Sequence, residues 1–116
     1  TWCNGIYSFP HYHSTAHEVL GISCGSARVR LGGDRGVVLD VKAGDALLLP
    51  AGVGHQNLGA SADLLVIGAY PQGQDWDLCR QARGQRELYQ IARVSLPSRD
   101  PIGGVCGGLN EHWPHA

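Results

Sequence analysis

The sequence predicts an all-β protein built from short antiparallel strands. Three observations favour this class: 17 glycines without a collagen-like period, short runs in which apolar residues dominate or alternate with charged ones, and turn residues between those runs. A chain of 116 residues suits one domain. We therefore expect a single domain over 1–116, with a strand-rich core at about 5–70 and a C-terminal extension at about 71–116.

Composition limits the classes of partner. The formal net charge of −1 provides no basic surface for nucleic acid or for an anionic membrane. No apolar run approaches the roughly 18 residues that a membrane span needs. The cysteines form no C-x-x-C pair, and we expect reduced thiols in a cytoplasmic protein. They are Cys3, Cys24, Cys79 and Cys106. The expected partner is a small-molecule ligand, with no nucleic acid and no membrane.

Six strands follow one another in the first two-thirds of the chain. They are predicted at 18–23, 27–31, 37–41, 46–49, 55–58 and 63–70. The second alternates apolar and charged residues, so Arg28 and Arg30 should face water. If the first strand is regular through its end, Cys24 points inward with Leu20 and Ile22.

Two of these strands need cover on both faces. The runs at 46–49 and 64–67 are apolar at both parities, which is typical of a strand buried on both sides. A terminal segment or a second subunit must cover the outer face, and we expect a homodimer. Beyond Ser95 the chain is rich in Pro and Gly, which predicts an irregular tail packed on the sheet by Leu109 or Trp113.

A short helix is predicted between the strands and the tail. Asp75 could cap a helix over 76–83. Arg80, Arg83 and Arg86 would then lie near one side of it. That side is either an anion-binding stripe or a solvated face, and we favour the solvated face.

The stretch 11–18 carries the chemistry. His11 and His13 lie two residues apart, so on a strand they point to the same side, about 7 Å from each other. Imidazole nitrogen suits zinc, iron, nickel and copper, and a carboxylate adds tolerance of manganese. Glu18 opens the next strand and could turn toward the same point. His17 is a sterically possible alternative to Glu18 as a ligand. If His17 pointed at the ion, Glu18 would face the other way, because adjacent residues of a strand alternate.

Glycines frame these residues in two motifs. The first reads G-x5-H-x-H-x4-E-x6-G and comprises Gly5, His11, His13, Glu18 and Gly25. The second reads G-x5-P-x-G-x2-H and comprises Gly44, Pro50, Gly52 and His55. With these motifs the chain resembles the cupin family, and the runs near 11–21, 50–55 and 68–78 resemble its small bacterial YjlB-like subgroup. It departs from the family where Gly59 replaces a final Asn, since Asn57 is out of register.

The resemblance implies a fold and a metal site. The fold would be a single cupin, an antiparallel barrel of the jelly-roll or double-stranded β-helix type with the metal inside one mouth. One divalent ion (Fe, Mn, Ni or Zn) would be held by His11, His13, Glu18 and His55, with one to three coordination positions open to water or substrate. The alternative is that His11 and His13 are hydrogen-bonded polar groups without a metal.

Further residues are candidates for a pocket beside this site. They are His17, Gln56, Asn57, Tyr70 and Trp76, with Tyr7 and Phe9 as further aromatic groups at the barrel mouth. The aromatic side chains are equally well explained as core and rim packing. The first hypothesis is a metal-dependent small-molecule oxygenase, decarboxylase or isomerase, in which His17 is the only nearby candidate for a separate general base. The second is a module that binds or senses a small molecule without turnover, and the third is a structural metal.

Overall fold

The computed structural model describes residues 1–104 and 106–113, which form two antiparallel sheets and two short helices. The strands are β1 (Trp2–Asn4), β2 (Glu18–Cys24), β3 (Ser26–Leu31), β4 (Val37–Lys42), β5 (Ala46–Leu49), β6 (His55–Ala60) and β7 (Leu65–Ala69). The helices are α1 (Gln85–Arg93) and α2 (Gly108–His112). The six predicted strands correspond to β2–β7, so the all-β class is confirmed.

The two sheets face each other across the core. One has the strand order β1-β7-β2-β5 and the other the order β4-β3-β6. Among the named strands of the described residues no hydrogen-bonded pair joins the two sheets, so the predicted barrel is not closed into a ring. Leu20, Val29 and Val66 fill the space between the sheets and are almost wholly buried. Each such side chain contributes about 1.5–3 kcal/mol through its removal from water.

The alternation of apolar and charged residues in β3 matches its buried and exposed faces. Ala27 and Val29 are buried in the core, whereas Arg28 on the opposite face is exposed. On that face Arg28 pairs with Asp40 of β4, Nε to Oδ1 2.9 Å, directly across the strands. Arg28 therefore faces water as predicted, while Arg30 is half-buried.

The end of β2 departs from a regular strand. The register between β2 and β7 shifts between Ile22 and Cys24, and this bulge turns Cys24 out to solvent. The prediction that Cys24 points inward was therefore wrong. Gly25 follows with φ of 77°, and a Cβ there would lie 2.5 Å from Ser61 Oγ, so the turn into β3 requires glycine.

The predicted helix at 76–83 was wrong, because the helix lies further along the chain. The segment around Cys79 is extended instead: Cys79 N donates to Tyr12 O and Tyr12 N donates to Cys79 O, at 3.0 and 2.9 Å. Helix α1 begins only at Gln85, after Gly84. Tertiary pairing thus decides the conformation of a segment whose local sequence also suited a helix.

The three arginines consequently do not share one helix face. The Arg80 guanidinium lies 3.8 Å from the centre of the Phe9 ring. Arg83 Nη1 donates to Gly52 O at 3.2 Å, and Arg86 is part of α1. No common arginine stripe forms in the described part of the chain.

The C-terminal tail packs on the outer face of the β1-β7-β2-β5 sheet. Leu109 of α2 is only 2% exposed and lines a small pocket together with Val19, Leu48 and Trp113. The tail therefore docks through Leu109 as predicted, and Trp113 lies against the His17 ring. In the described residues, neither helix is long and apolar enough to cross a membrane.

Candidate metal centre

Three histidines from two separate segments of the chain meet at one end of the space between the sheets. His11 and His55 form an antiparallel bridge, with His11 N to His55 O at 3.1 Å and His55 N to His11 O at 2.8 Å. His13 lies two residues further on and faces the same way, while the intervening Tyr12 is buried on the other side. The ligating nitrogens of the three imidazoles lie within 4.8 Å of one another.

A glycine turn brings the second half of the chain to this point. Gly52 has φ of +89°, and its N donates to His13 O at 2.7 Å. A Cβ at Gly52 would lie 2.8 Å from Ile91 Cδ1 on α1, so both the conformation and the space require glycine. The turn therefore delivers His55, three residues later, to the strand start beside His11.

Each imidazole uses Nδ1 to donate a hydrogen bond to a backbone carbonyl. The acceptors are Phe9 O for His11 at 3.0 Å, Asp77 O for His13 at 2.5 Å and Val53 O for His55 at 3.2 Å. A carbonyl only accepts, so Nδ1 carries the proton and Nε2 of each neutral ring presents a lone pair. Metal-bound histidines show the same arrangement, because the backbone bond fixes both the tautomer and the ring orientation.

Glu18 places its carboxylate beside two of these rings. It is the first residue of β2 and is only 4% exposed. Its Oε1 lies 3.4 Å from His13 Nε2 and 3.2 Å from His55 Nε2. Burial alone would raise the pKa of Glu18, but its contacts with His13, His55 and Tyr70 lower it to about 2. The carboxylate is therefore ionised and available as a ligand.

The histidines differ in their affinity for protons. Burial, helped by the neighbouring His55, lowers the pKa of His11 to about 4, so His11 is neutral at pH 7. Burial also disfavours the charged form of His13, but the contacts with the Glu18 carboxylate and the Asp77 carbonyl raise its pKa above 6.5. The Glu18 carboxylate thus favours the protonated form of His13, whereas His11 is held neutral.

Lowering the pH from 6.5 to 4.5 is expected to destabilise the metal-free protein by on the order of 2 kcal/mol. The folded pKa of His11 is depressed, so the unfolded chain binds more protons in this window. Below pH 4.5 the depressed pKa of Glu18 adds to the loss. His13 acts in the opposite sense, because its raised pKa gives stability that is lost as the pH rises through that value.

Urea unfolding of chelator-treated protein at several pH values measures this dependence. His11→Gln should flatten the curve between pH 6.5 and 4.5 by removing the titrating ring. A denaturation midpoint that stays constant or rises as the pH falls through this window would contradict the assignment.

Asp77 fixes the segment that carries His13 and Ser14 through hydrogen bonds, and the sequence did not predict this role. Its Oδ1 accepts from Ser14 N at 2.7 Å, its Oδ2 accepts from Ser14 Oγ, and its backbone carbonyl accepts from His13 Nδ1. Ser14 is completely buried, and Gln90 Oε1 of α1 lies 2.8 Å from the same hydroxyl oxygen. No signal in the sequence pointed to this role, because the partners are 63 residues apart.

A cavity of about 780 Å³ opens onto the three histidines and Glu18. His11, His13, Glu18 and His55 all line it. Other walls come from β1 and the segment after it, and from Tyr70 and Trp76, which were predicted as pocket residues. The side chain of Trp2 enters this wall and donates through Nε1 to the Tyr70 hydroxyl at 2.9 Å. Strand β1, which the sequence did not predict, thus builds one side of the cavity.

Three predicted pocket residues lie outside this cavity. Gln56 Nε2 donates to Ser8 O at 3.0 Å and Asn57 Nδ2 to Ile6 O at 3.4 Å, so both amides fasten the segment that precedes His11. His17 faces the tail, and its Nδ1 accepts from Ala51 N at 2.9 Å. Adjacent strand residues alternate, so Glu18 rather than His17 turns toward the three histidines.

Three histidines that meet in this way could hold a metal ion. Their Nε2 lone pairs and the Glu18 carboxylate form a mixed nitrogen and oxygen donor set that suits several first-row divalent ions. All four groups are buried on the protein side and open on the cavity side. The arrangement leaves positions around an ion through which a small molecule can approach.

The chain is similar to one curated protein, an uncharacterised protein of Bacillus subtilis (strain 168) named YjlB. The two are 40% identical over 115 residues, which cover 97% of this chain and 70% of the relative. No family model matches the chain, and no solved structure is significantly similar to it. At this identity and coverage, the chain belongs to the family of YjlB.

Proposed function

We propose that this protein is a cupin that holds one divalent metal ion through His11, His13, Glu18 and His55 and acts on a small molecule in the adjoining cavity. The observation that carries the proposal is the common orientation of the three imidazoles. Each Nδ1 is occupied by a carbonyl, which leaves Nε2 free on each ring, and one ring nitrogen of each histidine lies within 4.8 Å of the other two. The two glycine-framed motifs support the cupin assignment, because Gly25, Gly44 and Gly52 all adopt the positive φ that their turns need.

The position of the donors favours a catalytic role over a structural one. A structural site is closed by protein ligands on all sides, whereas a catalytic site keeps a position for substrate. Here all four donors line a solvent-connected cavity. A bound divalent ion would supply Lewis-acid polarisation of a carbonyl, carboxylate or enolate oxygen, which suits an oxygenase, a decarboxylase or an isomerase.

The other cavity groups position the carboxylate and exclude water. The Tyr70 phenol donates toward Glu18, while Trp2 donates to the same phenol oxygen. These contacts help to hold the carboxylate in position beside the histidines. Ile6 and Leu20 add apolar surface to the wall, which lowers the local dielectric constant and strengthens the electrostatic contacts at the site.

A non-catalytic binding module is the second candidate, and one observation favours it. His17, the nearby candidate for a general base, faces the tail instead of the cavity. Among the described side chains that line the cavity, Asp75 is the only carboxylate besides Glu18. Catalysis would therefore depend on Asp75 or on the metal-bound groups for proton transfer, whereas simple binding needs neither.

Metal analysis and a turnover assay test the proposal together. Purified protein reconstituted in turn with iron(II), manganese, nickel and zinc is expected to bind one ion per chain. The loaded protein is then tested for product formation on diketones, thiols, catechols and small carboxylates. His17→Ala, which changes a histidine outside the site, should bind metal like the wild type. Failure of all four ions to bind would overturn the proposal, and binding without turnover would favour the binding module.

We also propose that the protein is a homodimer through the part of the outer face of the β1-β7-β2-β5 sheet where Leu65 and Ile67 are exposed beside the C-terminal tail. Leu65 and Ile67 on that face are 38% and 45% exposed, and β1 at the sheet edge is paired on one side only. A second copy would cover the apolar face and pair the edge about a two-fold axis.

Light scattering during size-exclusion chromatography tests this assembly. We expect dimer for the wild type at micromolar concentration and monomer for Ile67→Lys, because a buried unpaired charge opposes association. The exposed Leu88 of α1 lies elsewhere, so Leu88→Lys should stay dimeric. A monomeric wild type would contradict the proposal.

A further inference from the structure

Two half-exposed aromatic rings stand inside the cavity beside the histidines. Trp76 is 49% exposed, and its ring lies edge-on to His13 with centroids 5.8 Å apart. Tyr7 is 50% exposed and lies edge-on to His11 at 5.3 Å. Large aromatic side chains left exposed in a concave site provide surface for a ligand.

Each of these rings stacks on a second aromatic ring. Tyr70 stacks on Trp76 with an interplanar angle of 18° and centroids 6.3 Å apart. Phe9 stacks on Tyr7 at 19° and 4.6 Å. Their orientation is therefore set before a ligand arrives, so little conformational entropy is lost when a flat ring packs against them.

The charge of the cavity limits what can enter. Among the described residues that line it there is no Lys or Arg, while Glu18 and Asp75 are acidic. A divalent ion together with the Glu18 carboxylate leaves one net positive charge at the cavity floor. One anionic group on a ligand neutralises that charge, but a second finds no cationic side chain and meets the repulsion of Asp75.

We infer that the cavity selects a planar aromatic anion of single negative charge, bound through its oxygen at the metal position with its ring against Trp76 or Tyr7. This inference rests on the proposed metal site. A cavity of about 780 Å³ has room for such a molecule of one or two rings. Binding of polyanions such as nucleotides and sugar phosphates is disfavoured, because the described residues that line the cavity include no Lys or Arg and Asp75 is acidic.

Three carboxylates that differ in one property each test the inference on the full-length, zinc-loaded protein. Calorimetry compares benzoate with cyclohexanecarboxylate, which has the same charge but no flat ring, and with isophthalate, which adds a second charge. Benzoate should bind about two- to tenfold more tightly than cyclohexanecarboxylate, the range expected from aromatic stacking. Isophthalate should also bind more weakly than benzoate.

Variants separate the aromatic wall from the metal site. Trp76→Ala should weaken benzoate and leave cyclohexanecarboxylate and the zinc dissociation constant nearly unchanged. Tyr89→Ala, which removes an exposed aromatic ring on α1 outside the cavity, should change neither. Equal binding of the three carboxylates to zinc-loaded protein would overturn this inference alone, whereas absence of zinc binding would overturn the proposed function and this inference with it.

Discussion

Removal of one imidazole from the cluster is expected to raise the metal dissociation constant by more than about a hundredfold, because loss of a ligand should exceed the loss caused by a single outer-shell partner. His13→Ala makes this change. It deletes one of the three convergent Nε2 atoms and also the partner of Glu18 Oε1 at 3.4 Å. Competition with a chromophoric chelator measures the dissociation constants of the wild type and the variant.

His17→Ala is the matched control for that experiment. It removes a half-buried histidine four residues further along, whose Nδ1 contacts Ala51 N and which lines no part of the cavity. Metal affinity in this variant should match the wild type. If His13→Ala kept wild-type affinity, the bound ion would lie elsewhere and the cluster would not be the metal centre.

Truncation of Asp77 is expected to destabilise the metal-free protein strongly. Asp77→Ala leaves the buried Ser14 N without its acceptor and removes one of two partners of Ser14 Oγ, at a cost of about 2–4 kcal/mol. The lost side-chain bonds also position the backbone carbonyl of residue 77, which accepts from His13 Nδ1, so we expect metal affinity to fall by about 10–100-fold. Urea unfolding and metal titration measure the two effects.

Asp77→Asn separates the effect of the side-chain hydrogen bonds to Ser14 from the effect of the negative charge. An amide retains one oxygen that can accept from Ser14 N, so this variant should lose less than half of the stability lost in Asp77→Ala. Unchanged stability in Asp77→Ala would show that the segment at 76–79 does not depend on the carboxylate. Unchanged metal affinity in that variant would contradict its role in orienting His13.

Strands whose two faces differ were predictable from local sequence. The alternation in β3 placed its bounds within one residue, because side-chain period and burial agree there. Strand β1 was missed since Trp2–Asn4 is too short for any periodicity, and its pairing with β7 joins residues more than 60 positions apart. The outward turn of Cys24 was missed for a related reason, because a bulge leaves no periodic signal.

The candidate site also contains residues that local sequence predicted and residues that it did not. Parity placed His11 and His13 on one side, and the glycine-framed motifs added Glu18 and His55 by resemblance. Gln56 and Asn57 were proposed for the pocket because they follow His55, but their amides are used by backbone carbonyls of the preceding segment. Long-range hydrogen bonds decide the orientation of these side chains, and neither residue spacing nor secondary-structure propensity predicts such bonds.

Contacts made by the C-terminal extension were the least predictable. The residues at 76–83 suit a helix locally, yet the backbone bridge between Tyr12 and Cys79 holds the segment extended. Asp77 thereby becomes a partner of both Ser14 and His13. Trp76, placed in the pocket by the same segment, lies beside His13 for this reason.

Anomalous diffraction from crystals of the zinc-loaded protein, recorded on both sides of the zinc absorption edge, tests the central claim most directly. We predict a single peak among His11, His13 and His55, with their Nε2 atoms about 2.0–2.1 Å from the ion and a Glu18 oxygen at about 2.0–2.2 Å. A peak bound by fewer than two of these imidazoles, or no peak in protein shown to contain zinc, would contradict it.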